Sequence, residues 1–68
     1  MRYVINLARY TGINLMDTFF FGAYDNEEEY IHHLAVLYDT FVALGKYKEC
    51  FNNNGDDFKI AYIVIKGD

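Results

Sequence analysis

Residues 25–45 read DNEEEYIHHLAVLYDTFVALG. At 100° per residue, Tyr30, Ile31, Leu34, Leu37, Tyr38, Phe41, Val42 and Leu44 gather on one side of a helix. Glu28, Glu29, His32, Asp39 and Thr40 gather on the other. Asp25-Asn26-Glu27-Glu28 has the pattern of an N-cap followed by an acid three residues on, each able to satisfy an unpaired backbone N–H. Glu27, Glu28 and Glu29 favour the positive end of the helix dipole, and Gly45 supplies the C-terminal stop. The apolar stripe is too wide for a coiled-coil seam, so the helix is expected to lie on a sheet.

Outward from the helix, Asn54-Gly55 stands between two strand-like runs and is a strong hairpin signal, because a type I′ turn needs φ > 0 at both centres. Strands are expected at 46–52 and 57–66, with Phe51 opposite Phe58, Glu49 opposite Ile60 and Tyr47 opposite Tyr62. Tyr47, Phe51, Phe58, Ile60, Tyr62 and Val64 would then share a face and form the floor for the helix. Before the helix, Tyr3, Ile5 and Leu7 alternate with Val4, Asn6 and Ala8, and 17–24 is β-prone. Thr11-Gly12 is a candidate turn between these two runs, with a loop or short helical turn over 10–16 as the alternative. The expected fold class is α+β, β-β-α-β-β, with a single helix packed on one face of a four-stranded mixed sheet. Strand four is apolar on both faces and belongs in the middle beside strand one. Lys46, Lys48 and Glu49 mark strand three as an edge. This order is similar to the architecture of the immunoglobulin-binding domains of proteins G and L, none of whose motifs is matched.

Sixty-eight residues are enough for one domain, 1–68, with a small core. Thirteen aromatics, seven Tyr and six Phe, compensate with large buried area per residue. The lone Cys50 cannot form an internal disulfide, and Met1-Arg2-Tyr3-Val4 opens no apolar run of signal-peptide length, so a reducing, cytoplasmic setting is expected. No apolar run approaches the roughly 18 residues of a membrane span. A net charge of −4 has the wrong sign for gripping phosphate backbones, which argues against direct nucleic-acid binding. Residues with AT-rich codons predominate, as in low-GC bacteria and their phages.

Chemistry-bearing groups are few. His32 and His33 are helix neighbours pointing about 100° apart and cannot share a metal ion. Their pairings with Glu28 and Glu29 read as a solvated face, and Asp39 lies ~10 Å further along the axis. Cys50 has no neighbour in the sequence to make it a thiolate. The chain contains no serine, glycine-rich phosphate loop or paired cysteines. No catalytic residue, metal or cofactor is expected.

Charge placement and surface apolarity carry more. The topology gathers Asp25, Glu27, Glu28, Glu29, Asp56 and Asp57 at one end and Arg9, Lys46, Lys48 and Lys66 at the other. Capping and turn chemistry account for each acid locally; together they also make an acidic pole able to meet a basic groove. Phe19-Phe20-Phe21 cannot all face the helix. Phe19, Phe21, Ile63 and Ile65, with Val4 and Ala8, are the expected apolar interface on the outer sheet face, and Phe20 is the one that can join the core. The expected function is a small acidic protein-interaction module, an inhibitor of the phage or mobile-element type, anti-CRISPR inhibitors among them. Its expected partner is a host protein that binds nucleic acid, in the host cytoplasm. The alternatives are a structural or regulatory homodimer using the outer sheet face, and a small metal-dependent factor or enzyme using His32, His33 or Cys50.

Overall fold

The computed structural model describes residues 1–11 and 15–66, with side chains at 1–10 and 17–66. Five elements follow in order: β1 (Arg2–Thr11), β2 (Leu15–Tyr24), α1 (Glu27–Ala43), β3 (Tyr47–Asn54) and β4 (Phe58–Lys66). The strands form one mixed sheet in the order β2-β1-β4-β3, with β1 and β4 parallel in the centre and both hairpins antiparallel. This is the expected α+β arrangement. The expected turn at Thr11-Gly12 falls largely on residues outside those described. Among the described residues no helix is long and apolar enough to cross a membrane.

A side chain closes the start of α1 and backbone groups close its end. Asn26 is the N-cap: its Oδ1 accepts from the N–H groups of Glu28 at 2.7 Å and Glu29 at 3.4 Å. Asp25, the expected cap, therefore lies one residue outside the helix. At the other end Lys46 N–H donates to the Phe41 carbonyl and Gly45 N–H to the Val42 carbonyl, each at 3.0 Å. This double closure requires a left-handed residue, and Gly45 has φ 67°.

The helix lies on the opposite side of β4 from that expected. Ile5, Tyr30, Ala61 and Ile63 form the buried core, with Tyr3, Leu7, Leu34, Leu37, Phe41, Cys50 and Ile65 packed against it. The floor is thus the Ala61-Ile63-Ile65 side of β4. Ile63, expected on the outer face, is fully buried beneath the helix, and Ile65 lies beside it. Parallel pairing explains this, because Ile5 aligns with Ala61, Leu7 with Ile63 and Asn6 with Tyr62. The face bearing Asn6 cannot lie under a helix without burying an amide at a cost of roughly 1–3 kcal/mol. Ala61 also leaves room above the sheet for the Tyr30 ring.

The second hairpin turns two residues later than expected. Gly55 N–H donates to the Phe58 carbonyl at 3.0 Å, leaving Asp56 and Asp57 as the two-residue connection. Phe51 consequently pairs with Tyr62, Cys50 with Ile63 and Asn54 with Lys59. No described residue in this turn has positive φ. Gly55 leaves room for the Phe58 ring, which a Cβ there would displace. An irregularity between Tyr47 and Glu49 turns Tyr47 back toward the helix side, away from Phe51.

The buried arc of the helix is narrower than its apolar stripe. Tyr30, Leu34, Leu37 and Phe41 meet the sheet, while Ile31, Val36, Tyr38, Val42 and Leu44 stay exposed. A single flat floor touches only the central line of a cylinder.

Candidate functional site

Two hairpin-and-helix junctions meet at one end of the sheet. Arg2 N–H donates to the Asp57 carbonyl at 2.9 Å, tying the start of β1 to the β3–β4 turn. Tyr24, the last residue of β2, lies beside Tyr3, so α1 also begins at this end. Asp25, Glu27, Glu28, Glu29, Asp56 and Asp57 are therefore brought together, and all six are exposed. Arg2 and Lys59 begin their strands at this end too. Arg9, Lys46, Lys48 and Lys66 lie at the opposite end, where Arg9 bonds Asp17 at 3.1 Å, the one ion pair among the described residues.

Two phenols near the acidic end are raised, chiefly by burial. Burial, then the charge of Glu29, pushes the Tyr24 hydroxyl up; burial first, with Glu27 among the lesser contributors, does the same for Tyr30. The Tyr24 hydroxyl lies 3.2 Å from His33 Nδ1. Gly22 makes room for this, since a Cβ there would come within 2.8 Å of the Tyr24 hydroxyl. His32 is exposed and lines a groove of about 140 Å³ between α1 and β2 with Phe21 and Val36. Cys50 sits half-buried in a groove of about 310 Å³ on the other flank, with Ile31, Ala35 and Tyr38. Burial pushes its thiol up, opposite to the change that makes a cysteine nucleophilic.

The outer sheet face differs from the expected patch. Phe19 pairs with Leu7, and Phe21 is the extra residue of a bulge opposite Ile5 and Asn6; both lie on the helix side. Phe20 takes the outward position and is 70% exposed, so it is not a core residue. Of the expected outer residues, Val4 and Ala8 keep their place, while Phe19, Phe21, Ile63 and Ile65 do not. The face consists instead of Val4, Ala8, Phe20, Phe51, Ile60, Tyr62 and Val64, with Asn6 in its middle. The Phe51 and Tyr62 rings stack at 5.0 Å, and Lys48 Nζ lies 3.4 Å from the Tyr10 ring centre. Alternation of β3 and β4 signals such an aromatic face in the sequence; on it Phe20 and Phe51 are exposed, whereas Ala8 and Val64 are fully buried. No protein-family model, curated protein or solved structure matches this chain.

Proposed function

We propose that the protein is a small protein-interaction module that occupies a basic surface of a partner protein with its acidic end. The observation that carries this reading is the meeting of six exposed carboxylates, from two segments distant in sequence, at one end of the sheet. Capping does not account for all of them, because the neutral Asn26 performs it. Concentrated charge of one sign steers encounter and selects partners of the opposite sign. The partner class that fits is a nucleic-acid-binding protein, whose phosphate-binding groove is basic, and the setting is the cytoplasm in which such a partner works. An inhibitor encoded by a phage or mobile element, of the anti-CRISPR or another counter-defence type, is the biological role we assign.

The test begins with a partner captured from host cells and then measured with purified components. Glu27→Lys with Glu28→Lys should weaken binding by roughly tenfold or more while leaving the circular dichroism spectrum unchanged. Raised salt should slow association, since exposed charges are screened beyond about 10 Å at 0.1 M. Binding that ignores both perturbations would remove the acidic end from the mechanism.

A further inference from the structure

We propose that two copies of this chain associate back to back through the outer sheet face, with their strands antiparallel across a two-fold axis. This surface is separate from the helix acids, shares only Asp56 and Asp57 with the acidic end, and does not depend on the partner proposed above.

The sheet is one layer thick on this side, and the molecule extends 34 × 24 × 15 Å. Registers place Phe20, Asn6, Tyr62 and Phe51 in one row across the four strands, near the middle of the face. A two-fold axis along this row sets aromatic on aromatic. It also sets Asn6 against Asn6 of the second copy, where each amide can donate to and accept from the other.

Charge selects the antiparallel arrangement. Lys48 and Lys66 mark one end of the face, and the Asp56-Asp57 turn marks the other. The proposed axis brings the lysines of each copy over the aspartates of the second. Glu49, the acid among the lysines, moves to the end where Arg2 lies. Parallel stacking would set like ends together. Such a reciprocal match is what an isologous interface requires.

The test is sedimentation equilibrium of the full chain from about 1 to 500 µM, a range bracketing micromolar affinity. The expected species has twice the 8.0 kDa chain mass. Phe20→Asp should raise the dissociation constant by roughly tenfold or more. Phe20 is 70% exposed, so the fold tolerates the change; Phe51→Asp is a second variant on the same row. Lys48→Glu with Lys66→Glu should weaken the dimer, and adding Asp56→Lys with Asp57→Lys should restore it. A monomer throughout the range would overturn the proposal, as would a dimer indifferent to both aromatic variants. Charge reversal that strengthens association would overturn the antiparallel arrangement.

Discussion

At the residue scale, the shift of the cap from Asp25 to Asn26 changes what each side chain contributes. Asn26 holds two helix N–H groups, whereas Asp25 sits outside α1. Asn26→Ala should therefore cost about 1 kcal/mol in urea denaturation, and Asp25→Ala only a few tenths. Equal losses would return the cap to Asp25. Alkaline stability tests the buried Tyr30 and the half-buried Tyr24 and Cys50. Tyr24, Tyr30 and Cys50 all have raised pKa values, chiefly through burial, so the folded chain holds protons that the unfolded chain releases first. Their contribution is complete below the ordinary values of 9.0 for Cys and 10.0 for Tyr, and is lost as pH rises beyond them. Denaturation midpoints measured from about pH 8 to 11 should fall, and Tyr30→Phe should flatten the fall. The exposed Arg9–Asp17 pair should matter little, within about 1 kcal/mol on removal.

At the element scale, β4 is the strand on which the fold turns, because it carries apolar residues on both faces with different fates. Ile63 is fully buried beneath α1, and Ile63→Ala should cost about 2–5 kcal/mol. Phe20→Ala, on the outer face of edge strand β2, should change the stability of the isolated chain by about 0.5 kcal/mol or less. Similar losses from the two, measured at low protein concentration, would place the helix on the other face. The bulge at Phe21 and the irregularity at Lys48 act at this scale too. Each reverses which side chains face the helix along an edge strand, and each redirects an aromatic residue: Phe21 toward α1 and Tyr47 toward Tyr38, 4.6 Å away.

At the scale of the whole molecule, topology alone separates the charges. Parallel β1 and β4 start at the end where α1 starts, so the helix acids and the Asp56-Asp57 turn share it. Four of the six Lys and Arg residues lie at the far end. The salt dependence of partner association belongs here. Reversing Glu27 and Glu28 perturbs the field of the acidic end, whereas Phe20→Asp perturbs the sheet face, so the two surfaces can be lost independently. In the antiparallel dimer both helices remain outside, with their acidic first turns at opposite ends, and one assembly presents two docking ends.

The helix, its stop at Gly45, the number of strands and their order were legible in the sequence, because they rest on periodicities and turn residues that act locally. The gathering of six acids at one end followed from that order. Which face of β4 the helix covers was not legible. It depends on the parallel register that sets Ile5 beside Ala61, between segments at opposite ends of the chain, and on where two strands bulge. Side chains alternate with a period of two, so a displacement of one residue exchanges core for surface. That exchange moved Ile63 and Ile65 beneath the helix and left Phe20 and Phe51 exposed on the outer face. The sequence by itself determined the elements and the charged ends; only tertiary pairing decided which apolar face remained uncovered.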